Sequence, residues 1–99
     1  MALAVRIKAR ARREIIEAAA WWSDNRPAAV GAIAHDLREA LDLLVEFPGL
    51  GTRVENAKSS ETRRWLLRRV SYQVYYRVRG NLLEVVAFWS TDRERGPRV

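Results

Sequence analysis

The sequence contains no cysteine and only one histidine, and these two shortages exclude several kinds of site. Without cysteine there is no disulfide framework, no thiolate nucleophile and no cysteine-based zinc site. His35 alone cannot build a multi-histidine metal centre. No run reaches the roughly 18 apolar residues of a membrane span, and the basic N-terminus lacks the apolar core of a secretory signal. We therefore expect a reduced, cytoplasmic protein without membrane contact, metal or cofactor.

Hydrophobic residues make up 48% of the sequence, which is enough for a core, and residues 1–99 are predicted to form a single domain. The net charge of +6 is distributed unevenly. Residues 1–13 and 62–99 are basic and rich in arginine, whereas residues 14–61 are acidic. If the two basic segments meet in space, they form one surface that attracts phosphates or an acidic protein segment. The alternative is that these arginines are ordinary solvated side chains.

Hydrophobic periodicity predicts one short strand followed by two helices. Leu3–Ile7 alternates apolar and polar residues, which is typical of a strand with one buried face. From Ala9 onward the apolar residues recur at steps of three and four, which indicates a helix that ends before Pro27. A second helix with the same period runs from Val30 to Val45 and is ended by Pro48. The short connection between the helices predicts an antiparallel hairpin.

The second half of the chain predicts a loop over residues 49–62 and then three strands. These strands are Arg63–Val70, Tyr72–Val78 and Leu82–Ser90, and a basic tail from Thr91 to Val99 follows. The last strand is apolar on both faces, so one face is expected to stay exposed where the helices cannot cover it. Glu84 within it is predicted to pair with Arg77 of the neighbouring strand. The β-α-α-β-β-β order predicts an α+β fold, a helical hairpin on a mainly antiparallel sheet.

Six segments, in this order, resemble the ParE/RelE superfamily of toxins from type II toxin–antitoxin modules. They are the helix start at Ala9–Arg13, the break at Pro27–Ala29, the turn closing Leu43–Gly51, the pair Arg63–Arg64, and the strands Val74–Val78 and Leu83–Trp89. The resemblance covers most of the chain. It implies the superfamily's fold, a short first strand and a helical hairpin followed by a three-stranded antiparallel meander. It also implies neutralisation by a cognate ParD-like antitoxin.

The resemblance implies one of two activities. ParE-like members poison DNA gyrase by protein contact, and this branch is favoured here. RelE-like members are ribosome-dependent mRNA endoribonucleases, and by position Arg64 and Arg93 would be their catalytic arginines. The segment after the last strand, Ser90–Arg95, holds neither the His nor the Tyr that RelE-like enzymes often carry there. A plain nucleic-acid-binding module is a third possibility, but neither predicted helix is basic enough to be a recognition helix.

Two sets of candidate residues follow. Arginines for binding the target or phosphate are Arg63, Arg64, Arg68, Arg69, Arg93 and Arg95. Aromatic residues and arginine dominate binding hot spots, and the candidate antitoxin-binding residues are Trp65, Tyr75, Arg77, Val85, Ala87 and Trp89. His35 lies off the apolar stripe of its helix and is expected to be solvated.

Overall fold

The computed structural model of the protein describes residues 2–59 and 61–99. Ser60, which belongs to the predicted loop 49–62, lies outside the described residues. The elements are β1 (Ala4–Ile7), α1 (Ala9–Asn25), α2 (Ala32–Glu46), β2 (Thr52–Arg53), β3 (Arg63–Leu67), β4 (Tyr72–Arg79) and β5 (Leu82–Ser90). Two short 3₁₀ turns, Pro27–Ala29 and Pro48–Leu50, follow α1 and α2. The α+β architecture predicted from the sequence is confirmed.

The helices begin and end where the local chemistry requires it. After α1, the N–H of Arg26 donates to the carbonyl of Trp22, and Pro27 opens a separate turn. The second helix starts two residues later than predicted, because Gly31 precedes it with φ +86°, a left-handed conformation that favours glycine. Val30 is therefore outside the helix and exposed. Pro48 follows α2 closely and prevents its continuation.

The strands form one five-stranded sheet in the order β1-β5-β4-β3-β2. The strands β3, β4 and β5 are the predicted antiparallel meander, and β1 adds to β5 in parallel. This parallel pairing brings the two basic ends of the chain together, as the charge pattern requires for a common surface. The two-residue strand β2 lies in the predicted loop and was missed, since two residues are too short for any periodicity.

The third strand is shorter than predicted. It ends at Leu67 instead of Val70, because the N–H of Ser71 donates to the carbonyl of Leu67 at 2.9 Å and closes a turn. Ser71 has φ +58°, the left-handed conformation that terminates extended chain. Arg68 and Arg69 thus belong to a turn and not to a strand.

The core lies between the helices and one face of the sheet, which we call the helix face. Its central residues include Leu44, Val74, Tyr76, Leu83 and Phe88. A bulge between Tyr75 and Tyr76 shifts the register with β5, so that Tyr75 pairs with Ala87 and Tyr76 with Val85. The bulge lets both Val85 and Phe88 join the core.

Tyr76 ties the sheet to the turn that follows α2. Its ring is fully buried, its hydroxyl donates to the carbonyl of Pro48 at 2.7 Å, and it accepts the N–H of Gly51 at 2.9 Å. A Cβ atom on Gly51 would also lie 2.8 Å from the carbonyl oxygen of Arg64. Glycine is required here because the backbone approaches a side chain and a strand at once.

Candidate partner-binding face

The sheet has a second face, turned away from the helices, which we call the outer face. Strand alternation and register place Arg64, Gln73, Tyr75, Arg77, Glu84, Ala87 and Trp89 on it. The parallel pairing of β1 adds Arg6, which lies opposite Glu84. Four of the six predicted antitoxin-binding residues therefore share this face: Tyr75, Arg77, Ala87 and Trp89. Trp65 packs against the core, and Val85 is part of it.

Residues 91–99, which we call the tail, fold back along the outer face. The indole N–H of Trp89 donates to the carbonyl of Arg95 at 2.7 Å. Gly96 follows close to the hydroxyl of Tyr75. Tyr75 is only 5% exposed and Ala87 is fully buried, although neither belongs to the core between sheet and helices. The prediction of an exposed apolar face is therefore wrong, since Ala87 is buried and the tail lies against Tyr75 and Trp89.

Trp89 is the anchor of the tail. The guanidinium of Arg93 lies over its ring at 4.0 Å from the centroid, and that of Arg10 lies at 5.8 Å. Both distances are within the range of cation–π attraction. Arg10 also donates to the carbonyl of Arg98, so α1 and β5 hold the tail at two points of its backbone.

Glu14 connects this anchor to the sheet. One carboxylate oxygen accepts the backbone N–H of Phe88 at 3.0 Å, and the other lies 3.4 Å from Nε of Arg10. The neighbouring strand β1 ends at Ile7, opposite Val85, so it cannot supply an acceptor for Phe88. A side-chain carboxylate therefore satisfies a backbone donor beyond the end of the ladder. Sequence reasoning missed Arg10 and Glu14; their spacing of four residues was the available signal.

A cavity of about 450 Å³ lies beside the tail on the outer face. Arg64 and Tyr75 line it together with Arg53, Glu55, Asn56 and the tail residues Gly96, Pro97 and Val99. Burial raises the pKa of the Tyr75 hydroxyl, and the neighbouring Arg64 partly opposes this. The hydroxyl therefore keeps its proton at neutral pH and is a hydrogen-bond donor beside a guanidinium.

The predicted pair of Glu84 and Arg77 is present. Nε of Arg77 donates to Glu84 at 3.0 Å, and Arg79 lies 3.6 Å from the same oxygen. The hydrogen bond from Arg77 is the main cause that lowers the pKa of Glu84, with smaller contributions from Lys8 and Arg79. Glu84 is buried and is thus a structural anion within a basic surface.

The arginines predicted to bind the target do not form one patch. Arg63 donates to the carbonyl of Gly51 at 2.8 Å, while Arg64 lies on the outer face. Arg69 donates to Asp36 of α2, at 3.0 Å from Nε, and this hydrogen bond lowers the pKa of Asp36. The tail arginines Arg93 and Arg95 lie with Trp89.

The two arginines named for a nuclease lie in different cavities. Arg64 lines the cavity with Tyr75, whereas Arg93 lines one of about 200 Å³ with Glu14, Tyr72 and Phe88. His35 lies on α2, its side chain is 63% exposed, and its Nδ1 contacts Asp36 at 3.1 Å. The prediction of a solvated histidine is confirmed.

The structure offers one group of side chains with the spacing of metal ligands within residues 2–59 and 61–99. His35, Asp36 and Glu39 each bring one ligand atom within 4.8 Å of the others. Both carboxylate oxygens of Asp36 already accept hydrogen bonds from Arg69. The group is therefore better described as an ion-pair network. None of the described helices has the length and apolarity needed to cross a bilayer.

Comparisons with known proteins agree with this fold. The family described as the ParE toxin of the type II toxin–antitoxin system parDE matches residues 5–95. The chain is similar to a structure of the chromosomal ParDE toxin–antitoxin system from P. aeruginosa, with a TM-score of 0.72 and 14% identity. That match covers 91% of this chain and 97% of the other.

A mutant of the E. coli toxin RelE in its free state is also similar, with a TM-score of 0.55 and 18% identity over 93% of this chain and 86% of RelE. No curated protein matches the sequence. The chain belongs to the ParE toxin family of type II toxin–antitoxin systems.

Proposed function

We propose that this toxin inhibits DNA gyrase by protein contact and that a ParD-like antitoxin neutralises it in the cytoplasm. We favour gyrase over RNA as the target because Arg64 and Arg93 lie in different cavities. Cleavage of RNA by its 2′-hydroxyl needs a base, an acid and a charge stabiliser around one phosphate. The only imidazole, His35, is on a helix and not on the outer face. Inhibition by contact needs no such group.

The antitoxin is proposed to engage the sheet at two places. On β3, Trp65 is half-buried and Leu66 is exposed, and both line a groove with Leu43 of α2. Arg68 borders this groove and would attract an acidic side chain of the antitoxin, whereas Arg69 is already paired with Asp36 there. On the outer face, Tyr75, Arg77, Ala87 and Trp89 become available where the tail moves aside. Val85 is fully buried and would support the surface without touching a partner.

A second candidate is a ribosome-dependent mRNA endoribonuclease, and one observation favours it. The cavity of about 450 Å³ holds the Arg64 guanidinium beside the protonated hydroxyl of Tyr75. This pair could stabilise a phosphorane and protonate a leaving oxygen. Glu55 lines the same cavity and would have to act as the base.

Inducible expression in bacteria tests the two candidates. The SOS response and the integrity of total mRNA are followed after induction in wild type, Arg64→Gln and the control Arg38→Gln, an exposed arginine on α2. Growth arrest with SOS induction and intact mRNA supports gyrase inhibition, and purified gyrase should then accumulate cleaved DNA. Growth arrest with early mRNA cleavage that Arg64→Gln abolishes would overturn it in favour of the nuclease.

A further inference from the structure

The outer face and tail carry cations from four separate parts of the chain. Arg6 comes from β1, Arg64 from β3, Arg77 and Arg79 from β4, and Arg93, Arg95 and Arg98 from the tail. Arg10 of α1 joins them at Trp89. Among residues 2–59 and 61–99, no carboxylate pairs with Arg6, Arg64, Arg95 or Arg98.

The helix α2, on the other side of the sheet, has an excess of acidic residues. The helix α2 carries Asp36, Glu39, Asp42 and Glu46 against a single arginine, Arg38. On the outer face the buried Glu84 is neutralised by Arg77, Glu55 lines the cavity with Arg64, and the tail adds Asp92 and Glu94 to its three arginines. The protein thus has a positive side and a negative side, and the positive side attracts polyanions.

The tail changes which chemistry this positive side presents. Gly96 lies beside the hydroxyl of Tyr75, and both Tyr75 and Ala87 are buried, so these anchors of a protein–protein hot spot are hidden while the exposed arginines stay accessible. The ring of Trp89 is already occupied by Arg93 at 4.0 Å. Proteins that bind single strands stack bases on exposed aromatic rings, and with the tail in place the described part of this face offers no free ring. A duplex, which presents only phosphates to such a surface, is the polyanion that fits.

We infer that the outer face with its ordered tail binds the phosphate backbone of duplex DNA, independently of base sequence. The inference deepens the proposed function, on which it rests, because gyrase acts on duplex DNA and the toxin would then contact both enzyme and substrate. Trp89 and Arg10 are positioning residues for this contact, since their hydrogen bonds fix the tail through the carbonyls of Arg95 and Arg98.

The test is fluorescence anisotropy of a labelled 20-base-pair duplex with the purified toxin, titrated between about 50 and 200 mM KCl. Four phosphate contacts predict an affinity that falls by about 100-fold over this range. Arg95→Gln should reduce the slope of log affinity against log salt by about one. The matched control Arg38→Gln removes the same charge from the negative side and should leave the slope unchanged.

A variant with unchanged net charge tests whether duplex binding depends on the ordered tail and not on net charge alone. Trp89→Phe keeps an aromatic ring but removes the indole donor to Arg95. It should weaken duplex binding about 3- to 10-fold while circular dichroism shows an intact fold. Equal weakening by Arg38→Gln and Arg95→Gln, unchanged affinity of Trp89→Phe, or tighter binding of a 20-nucleotide poly(dT) strand would each overturn the inference.

The same proteins distinguish this inference from the proposed function. Duplex binding without accumulation of gyrase-cleaved DNA would support the DNA-binding surface and refute gyrase inhibition. Gyrase inhibition with no duplex binding at about 50 mM KCl would support the proposed function and refute the DNA-binding surface.

Discussion

Removal of one hydroxyl group, that of Tyr76, should cost this small protein a large share of its stability. The hydroxyl accepts the N–H of Gly51 at 2.9 Å and donates to the carbonyl of Pro48 at 2.7 Å, at a side chain with no solvent exposure. In Tyr76→Phe both backbone groups lose this partner. An unsatisfied buried polar group costs about 1–3 kcal/mol. Because a carbonyl keeps a second lone pair for other contacts, we expect a total loss of about 2 kcal/mol.

Urea unfolding measures this loss. With an m-value of about 1–2 kcal/mol/M for a protein of this size, the midpoint should fall by about 1–2 M. Thermal unfolding should show a decrease of about 8–16 °C. The matched control is Tyr72→Phe, whose ring stacks on Phe88 at 4.9 Å between centroids and whose hydroxyl forms no hydrogen bond with the described residues. That variant should stay within about 0.5 kcal/mol of wild type.

The two tyrosine variants decide whether the hydroxyl or the ring secures the turn after α2. Equal losses in Tyr76→Phe and Tyr72→Phe would refute the argument from buried backbone groups. A wild-type stability for Tyr76→Phe would do so as well, because it would mean that the N–H of Gly51 finds another acceptor at no cost.

Three further substitutions test the fold and its electrostatics. Glu84→Gln should lower the free energy of unfolding by about 2 kcal/mol at neutral pH, since it leaves Arg77 without its anion. Because the pKa of Glu84 in the folded protein lies below its ordinary value, this contribution to stability is present above about pH 4.5 and is lost as the pH falls through the folded pKa. The free energies of unfolding of wild type and variant, measured in urea, should therefore converge in acid. A difference that stays constant with pH would contradict the ion pair of Glu84 with Arg77 as its source. Gly51→Ala should destabilise the protein by at least about 2 kcal/mol, because its Cβ would meet the hydroxyl of Tyr76 and the carbonyl of Arg64, and an unchanged urea midpoint would disprove that crowding. Ser71→Gly should raise the thermal midpoint by a few degrees, because φ +58° strains a serine by about 1 kcal/mol, which outweighs the extra freedom of an unfolded glycine; a lower midpoint would show that Ser71 is not strained.

The sequence predicted the helices and strands in which a hydrophobic pattern extends over many residues. It did not predict features of the fold that depend on a contact between segments distant in the chain. The helix stripes, the alternation in β4 and the continuous apolar run of β5 are local signals, and the structure agrees with them. The two-residue strand β2 exists only because Thr52 and Arg53 meet β3, so no local pattern announces it. Periodicity also could not reveal that Arg68 and Arg69 lie in a turn, which depends on the conformation of Ser71.

The candidate site was predicted in part for the same reason. Alternation in β4 and β5 correctly grouped Tyr75, Arg77, Ala87 and Trp89. Trp65 was grouped with them because the face of β3 cannot be assigned without its register to β4. Val85 was grouped with them because the bulge beside Tyr76, which shifts the register of β5, has no signal in the sequence. The sequence predicted the tail only as a basic segment, because its contacts with the sheet and α1 are made by the backbone carbonyls of Arg95 and Arg98, which carry no sequence signature.

The parallel pairing of β1 with β5 has a consequence for synthesis of the protein in the cell. Ala4 pairs with Leu82 and Ile7 with Val85, so the first strand made must wait for the last strand before it gains its partner. Contacts so distant in sequence slow folding and are formed late. A nascent chain that is still being translated therefore lacks a complete sheet and its outer face. The outer face should therefore form only after most of the sequence has left the ribosome, which gives a partner synthesised beforehand time to be present when that surface first forms.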